Sequence, residues 1–212
     1  MQSVHSFIAA LEVGGAMIYP LLLLALVGTV VILEKGFVFV ARTRLPASLA
    51  WHIATPTFAW EELEQRVAEL HPRNYFGVFF RLILEYRKQP AWWVESRAAD
   101  EASLIEKALG RWLWILETIV TAAPLLGLLG TITGMIRSFQ LFGTQGLVDP
   151  RGVTGGVAEA LIATAVGLFV ALIALFAFNF FSHRQAHVMD EMERLGTRLV
   201  DHIRLDEKKE TS

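Results

Sequence analysis

Three long runs without a charged side chain decide what this chain can become. Residues 13–33 form one of 21, residues 118–136 one of 19, and residues 160–182 one of 23. At a rise of about 1.5 Å per residue each run reaches roughly 28–35 Å as a helix, enough to cross the hydrocarbon core of a bilayer. Backbone amides in lipid must find partners within their own segment, so each run predicts a transmembrane helix. The 212 residues are 54% hydrophobic. A soluble domain would spread those residues around one core instead of gathering them into three blocks.

The basic residues give an orientation. None precedes the first run, whereas eleven lie between the first and second, beginning with Lys35, Arg42 and Arg44. The link between the second and third holds only Arg137 and Arg151, and the tail carries Arg184, Arg194, Arg198, Arg204, Lys208 and Lys209. The positive-inside bias therefore predicts an outer N-terminus, with the large loop and the C-terminus in the cytoplasm. All six Trp residues fall in that loop or its junction with the second span, Trp112 and Trp114 at interfacial depth. The first 34 residues hold no Lys or Arg, and the first run is too long for a signal h-region, so no cleaved leader is expected. A net charge of −2 with no basic block argues against nucleic acid, and the absence of Cys removes disulfides and thiolate metal sites.

The resulting plan is all-α. Residues 1–12 place Val4, Phe7, Ile8 and Leu11 on one face of an amphipathic helix at the outer surface. The first transmembrane helix covers 13–37 and a cytoplasmic helical loop 38–111, with helices expected from Trp60 to Val67 and from Phe76 to Tyr86, the latter stopped near Pro90. Pro56 or Thr57 marks the start of the former. From Ala91 no Pro or Gly intervenes until Gly110, so an uninterrupted helix is expected to run into the second span, 112–139. A short outer loop, 140–153, leads to the third span, 154–182, which continues into a cytoplasmic helix and tail, 183–212. Acidic and basic residues alternate along that tail, as on a solvated helix.

The spans differ in kind. The first is rich in Leu, Val and Ile and suits a lipid-facing position. The second carries Ala123, Gly127, Gly130 and Gly134, and the third Ala163, Gly167 and Ala171, small residues at a spacing that lets helix backbones approach. Polar groups in hydrocarbon are costly, which singles out Thr131, Thr164 and Glu159. Thr131 lies six residues from Arg137, about 9 Å, and Thr164 five from Glu159, about 7.5 Å, which predicts hydroxyls at a similar depth on antiparallel helices. Glu117, Pro124, Thr131 and Ser138 recur every seven residues on one stripe, expected to face a cavity or a partner helix. For a threonine in such a helix the plain alternative is a hydroxyl returned to its own helix carbonyl. For Glu159 it is a structural ion pair with Arg137. Glu159 and Thr164 lie roughly 140° apart around a helix, so the carboxylate belongs to a rim or a subunit interface, not to the same narrow axis.

The second and third runs hold no titratable side chain. A proton crossing here needs a mid-membrane carboxylate from another polypeptide. His183 and His187, four apart, lack the glutamate of a zinc-protease motif and read as interfacial surface residues. The glycine pairs have no Walker lysine, and no nucleophile–base set appears, so neither a cofactor, a metal site nor an enzyme is expected.

Two segments carry a resemblance. Residues 123–135 read APLLGLLGTITGM and residues 156–168 read GVAEALIATAVGL. Together they resemble the ExbB/TolQ/MotA proton-channel family, with the three-span layout agreeing along the whole chain. Tyr19-Pro20-Leu21-Leu22 and Glu34-Lys35 look more like ExbB than TolQ, and the fourth span of the flagellar stator branch has no counterpart. The resemblance implies a multi-pass protein of the bacterial inner membrane, N-terminus periplasmic and C-terminus cytoplasmic. It implies a pentamer around a pair of single-span ExbD-like helices whose aspartate carries the proton, and energy transfer through a TonB-like protein to the outer membrane. It places the polar pore on Thr131, Thr164 and Glu159. The alternatives are a TolQ-like subunit of the Tol-Pal envelope system and, from another class, a non-conducting scaffold for a partner. Ile173 stands where many relatives have Pro, which implies a straighter third helix.

Overall fold

The structure, a computed structural model, describes residues 15–55, 58–140 and 150–210, the side chains of 150–153 and 210 excepted. The amphipathic helix expected at 1–12, the helix start at Pro56 or Thr57, and most of the outer loop lie outside the described residues. Among the described residues seven helices follow in order: α1 (Ile18–Arg42), α2 (Ala47–Ala54), α3 (Trp60–Ala68), α4 (Tyr75–Tyr86), α5 (Ala91–Gly110), α6 (Leu113–Gln140) and α7 (Pro150–Glu210). No strand occurs among the described residues. Helices long and apolar enough to cross a membrane occur in three places, at α1, α6 and the first part of α7.

The described residues divide into two compact units, one within 15–32 and 112–180, the other within 33–111 and 181–210. In the first, Leu21 of α1, Ile119 and Ala123 of α6, and Val170, Ala171 and Ala174 of α7 form the core. The buried face of α6 runs Leu116, Ile119, Ala123, Gly127, Gly130, Gly134, Ser138, the i, i+3, i+4 pattern of one helix side. Leu125, Leu128, Ile132, Leu161, Phe169 and Phe176 stay exposed. Apolar surface of that extent is stable only against lipid or other helices. One expectation needs amending here. The first span is not wholly lipid-facing, because Ile18 and Leu21 are buried while Tyr19, Leu23 and Leu26 face outward.

A second expectation is corrected at the entrance to the second span. The helix from Ala91 does not continue unbroken: α5 ends at Gly110, Arg111 is extended (φ −53°, ψ 133°), and Trp112 takes a left-handed φ of 69°. A bulky residue at positive φ costs on the order of 1–3 kcal/mol and persists only where its surroundings hold it. The α7 helix, in contrast, is continuous through Ile173 and on to Glu210.

In the second unit several helix ends are met by side-chain hydrogen bonds. Asn74 caps α4, its Oδ1 accepting from the Gly77 amide at 3.0 Å while its Nδ2 donates to the Arg44 carbonyl at 2.8 Å. Glu207 accepts from the Ala91 amide at 2.8 Å, serving the start of α5, where Pro90 has no side chain to offer. At the other end of α5, Lys35 is 1% exposed and its Nζ donates to the Leu109 carbonyl at 2.8 Å. That carbonyl belongs to the last turn, which has no intrahelical donor, and Glu34 lies 3.7 Å from the ammonium. Phe76, Phe80, Ile83 and Leu63 fill the middle, and α2, unforeseen from the sequence, contributes Leu49 and Ile53.

Trp60 Nε1 donates to Asp206 Oδ2 at 2.8 Å. That hydrogen bond, then Lys209, hold the Asp206 carboxyl below its ordinary range. A lowered folded-state value stabilises above the unfolded pKa of about 3.9 and is lost as pH falls through the lowered value. Asp206→Asn is therefore expected to lower the thermal midpoint at neutral pH, with the gap from the native chain closing on acidification below about pH 4. Melting curves of both chains across that range check the sign.

Candidate functional site

The candidate site lies along the seam where α6 meets α7, inside the first unit. Glycines determine how close the two backbones come. A Cβ on Gly127 would stand 3.0 Å from the Ala163 carbonyl oxygen and from Thr164 Cα, and one on Gly167 would stand 2.5 Å from the Ala123 carbonyl oxygen. On Gly134 it would meet Ala160 Cβ at 2.8 Å, and on Gly130 it would meet Ala163 Cβ at 2.6 Å. At Gly130, Gly134 and Gly167 these distances are closer than real Cβ atoms pack, and at Gly127 a Cβ would press on backbone atoms more tightly than most do, so the seam favours hydrogen at these positions. Ala171 joins Ala123 in the core.

At this close approach Thr164 Oγ1 donates across the seam to the Gly127 carbonyl at 2.9 Å. In a regular helix that carbonyl accepts from the amide four residues on, which is Thr131's, so the hydroxyl of Thr164 takes its second lone pair. Thr131 turns its own hydroxyl back to the Leu128 carbonyl at 2.7 Å. Thr118, Thr121 and Thr133 likewise bond within α6. The glycine contacts set Thr164 opposite Gly127. The two singled-out hydroxyls bond to carbonyls of consecutive α6 residues, Gly127 and Leu128, about 1.5 Å apart along the helix axis.

At the far end of the seam Arg137 Nη1 and Glu159 Oε1 are 3.2 Å apart, the arginine side chain 57% exposed and the glutamate 26%. In water such a pair contributes about 0–1 kcal/mol. The sevenfold stripe does not share one environment: Glu117 is exposed, Pro124 and Thr131 are half-buried, and Ser138 is buried. Ser138 donates to the Gly134 carbonyl at 3.0 Å, and its Oγ fills the space a side chain on Gly156 would need. Sequence reasoning left Ser138 and Gly156 out of the seam. The signal was present, since Gly130, Gly134 and Ser138 continue the four-residue spacing of small residues.

Chemically the seam offers hydroxyls and carbonyls at depth and a carboxylate at one end. Residues 118–136 and 160–182 supply no group that takes up or releases a proton. It can line a path for a proton without carrying one through the middle.

Comparison with known proteins gives a concordant result. A model of the MotA/TolQ/ExbB proton channel family matches residues 73–194. The chain is 32% identical over 192 residues to the biopolymer transport protein ExbB-like 1 of Synechocystis sp., covering 88% of this chain and 74% of that one. It is 34% identical over 175 residues to ExbB-like 3 of the same organism, covering 79% and 81%. To the biopolymer transport protein ExbB of Xanthomonas campestris it is 42% identical over 87 residues, covering 41% of this chain and 34% of that one.

Proposed function

We propose, from the premise that this chain belongs to the MotA/TolQ/ExbB proton channel family and is a membrane transport subunit, not an enzyme, that it is the ExbB-type motor subunit of an inner-membrane complex. In that complex it forms a homo-oligomer, a pentamer in our reading, around single-span ExbD-like helices, and passes the energy of the proton gradient to a TonB-like protein for transport across the outer membrane. The N-terminus faces the periplasm and the C-terminus the cytoplasm.

One observation carries this reading: a hydroxyl bonded across the seam of two glycine-lined helices, in runs that contain no titratable group. A buried carboxylate on a partner helix is costly when charged and tolerable when protonated. Thr131 and Thr164 supply the polar wall that lets such a group exchange its proton, Glu159 stands at the periplasmic rim, and neutralisation frees the partner helix to move against apolar side chains.

The test is reconstitution. The chain is co-expressed with the single-span, aspartate-bearing protein of its own genome and placed in liposomes holding a pH-sensitive dye. Proton flux is expected from the complex, and is expected to disappear when that aspartate becomes asparagine. A partner that co-purifies with no flux under any imposed gradient would instead make this chain a non-conducting scaffold.

A further inference from the structure

Gly15 precedes α1 and meets the site from the third span's outer end. It has a left-handed φ of 65°, and the position its Cβ would occupy is already taken by Oε1 of Glu159, with Cδ of the same side chain beside it. The same Oε1 is the atom that pairs with Arg137 Nη1 at 3.2 Å. The carboxylate is thus held between a cation on α6 and a bare stretch of backbone ahead of α1. Gly15 is glycine for two separable reasons. Its φ disfavours an L side chain, and any side chain would displace Glu159 from the place where Arg137 reaches it.

We infer that Gly15 is a positioning residue for Glu159: its missing side chain is the socket that keeps the carboxylate on Arg137 at the outer end of the α6–α7 seam. The segment leading into the first helix thereby takes part in the site. Arg137 Nη1 is the charged group that faces the carboxylate among the described residues. A methyl group at residue 15 moves Oε1 away from that guanidinium without changing any charge. The functional half of this inference rests on the proposed role of Glu159 in the proton path, whereas the positioning half does not.

The experiment separates the two. Thermal midpoints of the detergent-solubilised full chain are measured for Gly15→Ala, Glu159→Ala and the double variant. Backbone strain at residue 15 is present in both backgrounds, but the collision exists only when Glu159 is there. Gly15→Ala is therefore expected to lower the midpoint more in the native background than in the Glu159→Ala background. Equal shifts in the two backgrounds overturn the socket. Proton flux of the partner complex is then compared for Gly15→Ala, Glu159→Asp and the double variant. The shorter aspartate withdraws its carboxylate from the new methyl, so the severalfold loss caused by Gly15→Ala is expected to vanish in the Glu159→Asp background, a rescue that general destabilisation does not give. A Glu159-dependent midpoint shift with unchanged flux supports the socket and overturns the role of Glu159 in the proton path.

Discussion

Thr164→Val is expected to abolish gradient-driven uptake while leaving the chain folded and inserted. Valine keeps the volume of threonine and removes only the hydroxyl that reaches the Gly127 carbonyl at 2.9 Å. Interhelical hydrogen bonds of this kind contribute about 0.6 kcal/mol on average in a membrane protein, too little to unfold a packed helix pair. The Gly127 carbonyl keeps its helical donor, so no buried acceptor is orphaned. What goes is the polar contact across the seam and, on our proposal, the wall against which a partner's carboxylate exchanges a proton. Glu159→Ala is expected to do the same from the rim, at the cost of one partly exposed ion pair with Arg137. The measurements are uptake in cells and proton flux in liposomes, each beside a melting curve. Native rates in both variants would remove Thr164 and Glu159 from the proton path.

Gly167→Leu is expected to have the larger structural effect. Its Cβ would stand 2.5 Å from the Ala123 carbonyl oxygen and 3.1 Å from Gly127 Cα, both backbone atoms of α6. Backbone atoms cannot swing aside as a side chain can, so the two helices must separate, which strips Ala123, Ala171 and Ala174 of their neighbours. Overpacking a core costs about 1–3 kcal/mol where side chains can adjust, and this site has none to move. The expected outcome is loss of the cooperative thermal transition and failure to co-purify with a partner. A melt within a degree or two of the native chain would show that the seam is looser than the glycine contacts imply. Gly155 offers the control on α7, since a Cβ there meets nothing within 4 Å and alanine is expected to be neutral.

These variants also mark how far the amino-acid order alone reaches. The three spans were legible because lipid forces a helix of about 20 apolar residues wherever the backbone crosses it, whatever the neighbours. The short helices from Trp60 and near Phe76 were legible from local pattern and the Pro90 stop. The small residues of α6 and α7 announced a close seam, and residues 118–136 and 160–182 visibly hold no titratable group. The break at Arg111 and Trp112 was not legible, because neither residue is a helix breaker. A left-handed Trp112 exists only where tertiary contacts hold it, while the end of α5 is met by the buried ammonium of Lys35, 74 residues away in sequence.

Composition and spacing, then, marked out three helices long and apolar enough to cross a membrane and the polar residues that our proposal puts on a proton path. The tertiary structure decided the register, and register decided the partners. Thr164 faces Gly127 and bonds its carbonyl, and Glu159 rests between Arg137 and the bare backbone of Gly15. The reason is physical. Hydrophobic length acts on each segment independently and can be read one run at a time. The depth at which two helices interlock depends on pairs of small residues far apart in sequence, and no single segment contains that information.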